Sequence, residues 1–279
     1  MSQSPVALIT GTSSGVGLYT ALRLAKVGYR TVATMRDTAK SADLLAQAKE
    51  AGVEVMIERL DVQDQGSIDT CVAKVIAEQG GIDLLVNNAG AGFLGSLEQT
   101  SDADLHKTMD INFYGVWRMN KAVFPHMRAR GSGRIITVTS VGGLIGQPFN
   151  DAYCAAKFAV EGAMEALAPL AKRLGIQVSL IEPGPINTEF VNSAQAASDI
   201  SGFKAPYGEI VARYMGSAGN VFAQFGQTGD DIAAVILEAA TAESPNFRYI
   251  TSAFANQIVA PKVVDPTGNN VIEVFASRL

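Results

Sequence analysis

Short apolar runs alternate along the chain with longer stretches in which apolar residues recur every three or four positions. Seven runs read as strands: residues 6–10, 31–35, 53–60, 82–86, 134–139, 176–181 and 247–251. Helical spacing fills the intervals 15–28, 37–51, 67–79, 102–128, 152–174 and 230–242. Crossovers of this length force neighbouring strands to pair in parallel. The predicted architecture is an α/β fold: a single-domain, Rossmann-type doubly wound sheet of about seven parallel strands, with helices on both faces. Ligands of such a sheet bind at the carboxyl ends of its strands. Segment 187–227 breaks the rhythm, being rich in Gly, Ala and Ser with weak periodicity, and is expected to form a helical substrate flap.

Composition narrows the function. No Pro/Gly/Ser-rich or charged linker divides the 279 residues, so one dinucleotide-binding domain over 1–279 is expected. A hydrophobic content of 48% provides for a large core, and a net charge of -5 gives no reason to expect nucleic acid as a partner. The sequence has no charged and apolar leader and no apolar run of about 18 residues, so neither export nor an integral membrane segment is predicted. Cys71 and Cys154 are too few for a disulfide framework and have no metal-ligand spacing with His106 or His126. A cytoplasmic protein without a metal, acting on a small molecule, is the expectation.

The first strand leads into Thr10-Gly11-Thr12-Ser13-Ser14-Gly15-Val16-Gly17 and then an apolar helix. Strand, glycine turn and helix together make a phosphate cradle. Gly11 allows the tight turn, Gly15 the approach of a pyrophosphate to backbone, and Gly17 close helix packing, while the helix N-terminus favours negative charge. The second strand ends in Met35-Arg36-Asp37. An acidic residue at that point would bind the adenosine ribose, whereas an arginine accommodates a 2′-phosphate, so Arg36 argues for NADP(H) over NAD(H). Asp37 is the competing candidate, should the register differ by two residues. Asp61-Val62 and Asn88-Ala89-Gly90 follow the third and fourth strands and face the same crevice.

Tyr153 and Lys157 are four residues apart at the head of a long helical stretch and share one helix face. An ammonium ~4 Å from the phenol, at an effective dielectric of ~20, contributes roughly 4 kcal/mol, equivalent to about three pKa units. The expectation is a phenol able to exchange a proton near neutral pH.

These motifs resemble the short-chain dehydrogenase/reductase family over nearly the whole chain. The matching residues are Thr10 to Gly17, Asn87 to Gly90, Ser140, Tyr153 to Lys157 and Pro183-Gly184, in the family's order and approximate spacing. Ser140-Val141-Gly142-Gly143, Tyr153-Cys154-Ala155-Ala156-Lys157-Phe158 and Ile181-Glu182-Pro183-Gly184-Pro185 look like the branch holding estradiol 17β-dehydrogenase and the retinol dehydrogenases. That branch tends to use NADP(H).

The resemblance implies an oxidoreductase in which Tyr153 is the acid/base, Ser140 holds the substrate oxygen and Lys157 binds the nicotinamide ribose. Asn112 would support a water relay, with a buried polar cross-link as its alternative role. Pro183, Gly184, Ile186 and Thr188 would close over the nicotinamide. Val141, Gly142, Leu144, Phe149, Asn150 and Phe190 would contact a bulky hydrophobic alcohol or ketone. No histidine follows His126, which makes estradiol itself a doubtful substrate. A 3-ketoacyl-type reductase and a non-catalytic NADP(H) sensor are the rival readings. A homodimer or homotetramer, built through 102–128 and 152–174, is the implied assembly.

Overall fold

A computed structural model describes residues 4–188 and 206–264. Its seven strands form one wholly parallel sheet: β1 (Val6–Thr10), β2 (Arg30–Met35), β3 (Val55–Arg59), β4 (Leu84–Asn87), β5 (Gly133–Val138), β6 (Ile176–Glu182) and β7 (Arg248–Ile250). The spatial order is β3-β2-β1-β4-β5-β6-β7. Chain direction across the sheet therefore reverses between β1 and β4, and a crevice opens beyond their carboxyl ends.

Each face of the sheet carries its own apolar layer. Val6 and Leu8 of β1 pack on one side, with Met119, Val123 and Val160; Ala7 and Ile9 pack on the other, with Leu18, Leu22 and Ile236. This alternation is the two-residue period of a strand covered on both faces, which is why β1 is buried throughout.

The helices are α1 (Gly15–Lys26), α2 (Ala42–Glu50), α3 (Gln65–Gln79), α4 (Asp102–Met109), α5 (Gly115–Arg130), α6 (Asp151–Arg173), α7 (Tyr207–Phe225), α8 (Gly229–Thr241) and α9 (Ala253–Val264). Two expected helices are divided. In the first, Asp37 accepts a hydrogen bond from the Ala39 amide at 3.1 Å and caps a short 3₁₀ turn (Thr38–Ser41) that precedes α2. In the second, a π turn (Asp110–Tyr114) separates α4 from α5. Within the weakly periodic segment 187–227, α7 is a regular helix. The helix α9 has no counterpart in the sequence expectations.

Candidate active site

A cleft of about 700 Å³ lies at the carboxyl ends of the strands. The glycine turn forms one wall, and its glycines are required by contact. A side-chain carbon at Gly11 would sit 2.8 Å from the Ala89 Cα, and one at Gly17 would sit 2.3 Å from the Gly11 carbonyl oxygen. Gly11 and Gly15 also have positive φ, 71° and 55°. Asn88 donates from Nδ2 to the Thr10 and Gly11 carbonyls, both at 2.9 Å, and so fastens the end of β4 to this turn. Ser14 precedes α1 without a side-chain cap, which leaves the first-turn amides available to an anion.

Gly11, Ser13, Ser14, Gly15, Val16, Arg36, Asp61, Val62, Asn88, Ala89, Gly90, Pro183, Gly184, Ile186 and Thr188 line the cleft. Thr12 and Gly17 serve from behind. Thr12 is buried, and its hydroxyl donates to the Thr34 carbonyl at 3.1 Å. Arg36 is exposed at the end of β2, while Met35 is buried. Lys40, four residues after Arg36 and absent from the sequence expectations, also lines the cleft. This glycine-floored, cation-rimmed groove at a strand-order reversal fits a phosphate-bearing dinucleotide.

Ser140, Tyr153 and Lys157 meet at the other end. Ser140 follows β5 in extended conformation, and its Oγ accepts from the Gly142 amide at 3.0 Å. Its hydroxyl is also hydrogen-bonded to the Tyr153 phenol. Lys157 is 5% exposed; its Nζ donates to the Val138 carbonyl at 3.1 Å and lies 5.7 Å from the centre of the Tyr153 ring. The two side chains thus share one helix face, as their spacing predicts. Burial raises the phenol above its usual range, with Ser140 pulling it back. Burial also lowers Lys157 to about 8, with Glu161 opposing.

Asn112 is fully buried within the π turn. It accepts from the Ala91 amide at 3.1 Å and donates to the Ala91 and Thr108 carbonyls at 2.9 and 3.0 Å. These are the bonds of a polar cross-link. A side-chain carbon at Gly90 would lie 3.0 Å from Asn112 Oδ1 and 3.8 Å from Lys157 Nζ, so both groups pack on the same glycine.

Of the expected substrate contacts, Val141 and Asn150 line the cleft, and Gly142 lies behind Ser140 and Tyr153. Leu144 and Phe149 are packing residues: Leu144 sits against Val141, Ala255 and Val259, and Phe149 against Val211 and Tyr214. Phe149 also holds φ at +61°, a strained value for a side chain of its size. Phe190 lies outside the described residues. The outer wall comes instead from Tyr214, Val221 and Phe222 of α7 and Phe254 and Ile258 of α9, joined by the Phe225–Phe254 stack at 4.3 Å. Tyr214, Val221 and Phe222 fall within the segment 187–227 that was expected to form the substrate flap. The α9 residues gave no signal, because apolar positions surround that helix and Pro261 interrupts it.

Among the described residues no group of His, Cys, Asp and Glu is arranged to hold a metal ion, and no helix is long and apolar enough to cross a membrane.

A family model described as short chain dehydrogenase matches residues 5–199, and the chain belongs to that family of nicotinamide-dependent oxidoreductases. It is 37% identical to human 17-beta-hydroxysteroid dehydrogenase type 1 over 282 residues, 96% of this chain and 83% of that one. Human retinol dehydrogenase 8 is 38% identical over 270 residues, 94% of this chain and 86% of that one. Among solved structures, a short-chain dehydrogenase from Streptomyces avermitilis superposes with a TM-score of 0.83 at 29% identity, covering 100% of this chain and 98% of that one.

Proposed function

We propose that the protein is an NADP(H)-dependent oxidoreductase that interconverts a secondary alcohol and a ketone, or a primary alcohol and an aldehyde. Its substrate is a bulky hydrophobic molecule of the steroid, retinoid or aryl ketone type. The observation that carries this reading is the meeting of Ser140, Tyr153 and Lys157 under an apolar wall at one end of the cleft. Among the described lining residues the cations are Arg36, Lys40 and Lys157. Among the described residues, the α7 and α9 side chains that wall the substrate end, Tyr214, Val221, Phe222, Phe254 and Ile258, carry no charge, which favours a neutral hydrophobic substrate over a carrier-bound 3-ketoacyl group.

Ser140 and Tyr153 grip the substrate oxygen in this mechanism. The phenol, held neutral by burial, gives its proton to that oxygen during reduction and takes it back during oxidation. Lys157 orients the tyrosine ring and binds the nicotinamide ribose. Asn112 fixes the Ala91 strand-end loop and with it the Gly90 floor under Lys157. Pro183, Gly184, Ile186 and Thr188 cover the nicotinamide end, and the cofactor, when bound, supplies or accepts the hydride. Arg36 and Lys40 would receive a 2′-phosphate, since the Asp37 carboxylate is engaged in its own turn.

Exposed apolar side chains on the helices expected at an interface, Leu105, Trp117 and Leu170, support assembly as a homodimer or homotetramer. The free thiols Cys71 and Cys154 suit the reducing cytoplasm. An NADPH-oxidation screen across steroid, retinoid, aryl ketone and ketoester substrates, repeated with NADH, tests the reading. Turnover of a hydrophobic carbonyl with at least ~10-fold preference for NADPH is expected, about 1.4 kcal/mol of discrimination. A folded, cofactor-bound protein that turns over none of them would favour a cofactor sensor instead.

A further inference from the structure

The segments that present the candidate active site also meet at a second place, a buried charge cluster behind the cleft. Thr139, next to Ser140, donates its hydroxyl to Glu161 Oε1 at 2.5 Å. Glu161 stands one helical turn beyond Lys157 on α6, and its Cγ lies 2.9 Å from where a side-chain carbon on Gly143 would be. Glu182 ends β6 immediately before Pro183. Arg248 of β7 donates to both Glu161 and Glu182, and through Nη2 to the exposed Glu165 at 2.8 Å. The Glu161 and Glu182 side chains are 6% and 0% exposed, so two buried carboxylates share one guanidinium whose own side chain is 33% exposed.

With Lys157, which faces Glu161, and the exposed Glu165 included, the count leaves one net negative charge. It also leaves an orphan: Glu182 Oε2 is buried and receives no hydrogen bond. One proton resolves both. Carried on Glu182, it turns the orphan acceptor into a donor toward Glu161, and the two carboxyls with Arg248 then sum to zero charge.

We propose that Glu161 and Glu182 share a single proton as a buried acid pair clamped by Arg248, and that the pair is a positioning device holding the segments that carry Ser140, Lys157 and the Pro183 turn. The positioning half rests on the function proposed above, whereas the shared proton does not. Burial first, and then Glu161, raises Glu182 to about 7 against the pull of Arg248. Glu161 in turn faces Lys157 and favours its ammonium form. The charged groups around the pair are Lys157, Glu161 and Glu165 on α6, Glu182 on β6 and Arg248 on β7.

Infrared spectra and thermal unfolding of the full chain, with NADPH titrations, separate the two halves. At pH ~6 the wild type should show the carbonyl stretch of a buried carboxylic acid, lost as pH rises through about 7 and missing in Glu182→Gln. Between the unfolded carboxyl pKa near 4.5 and about 7, only the folded state keeps this proton, so wild-type stability falls as pH rises through that window. Glu182→Gln escapes this loss. Its Tm relative to wild type should climb by roughly 2–8 °C between pH ~5 and ~7.5 and stay level above.

Glu161→Gln removes the carboxylate that supports the Lys157 ammonium. The alkaline loss of NADPH affinity should then begin about one pH unit lower. An absent acid band in the wild type, or a Tm difference independent of pH, overturns the shared proton even in an active enzyme. An unmoved alkaline limb in Glu161→Gln overturns the positioning role. Band and Tm profile as expected in a protein that binds no NADPH would retain the acid pair and reject the proposed function.

Discussion

Arg36 was legible as a cation on the cleft because strand ends in this fold face the crevice. Lys40 was not, because it follows a predicted helix start that the structure replaces with a capped turn. Arg36→Ala should weaken NADPH about 10- to 100-fold, the loss of roughly 1.5–3 kcal/mol of charge-assisted bonding. NADH should stay within about threefold, as for an ordinary surface change. Fluorescence titration of both cofactors measures the difference. The i, i+4 spacing of Tyr153 and Lys157 gave their common face, whereas the hydrogen bond from Lys157 to the Val138 carbonyl comes only with the tertiary structure. Burial then lowers Lys157 to about 8, which makes its charge a cost to the fold. The cost is fully present below pH ~8 and fades toward the unfolded value near 10.4, where both states are neutral. Lys157→Met should therefore lose cofactor-dependent turnover yet gain roughly 1–3 kcal/mol at pH ~7, with the gain gone by pH ~10. Urea unfolding at the two pH values gives the result.

At the level of elements, the strands and most helices followed from periodicity, while the exceptions have local causes. The π turn interrupts an otherwise continuous apolar pattern over 102–128 because Asn112 takes the Thr108 carbonyl with its side chain. Spacing of apolar residues carries no trace of that substitution, although an asparagine in a helix interior is itself a signal. The apolar face of α7 is well defined but lies inside a segment, 187–227, that is weakly periodic when taken whole, and in α9 apolar residues spread around the axis. Both helices line the cleft where substrate binding is proposed. Phe254→Ala would remove the stack on Phe225 and part of the cleft wall. The loss of roughly 1–2 kcal/mol of apolar contact predicts a KM raised about 5- to 30-fold for a hydrophobic ketone, with kcat little changed. Steady-state kinetics on the best substrate of the screen decides whether that wall contacts substrate.

Across the whole molecule, crossover length dictated the parallel sheet, and the parallel sheet brought Gly11, Asn88, Ser140 and Pro183 to one edge from distant parts of the sequence. The strand-end half of the cleft, where cofactor binding is proposed, was thus readable as a crevice lining. Its substrate half was not, since it depends on how α7 and α9 fold back over that edge. The buried cluster of Glu161, Glu182 and Arg248 joins three of the same segments from behind, through side chains that sequence alone leaves as scattered charges. Hydride transfer with Tyr153 as proton donor is the central claim, and reduction with NADPH deuterated at the transferable position tests it most directly. Mass spectrometry should find the deuterium on the carbinol carbon of the product. Tyr153→Phe should lower the rate at least ~10²-fold with NADPH affinity within about threefold of wild type. Product without deuterium, or a Tyr153→Phe enzyme keeping more than about 5% of wild-type turnover, would contradict it.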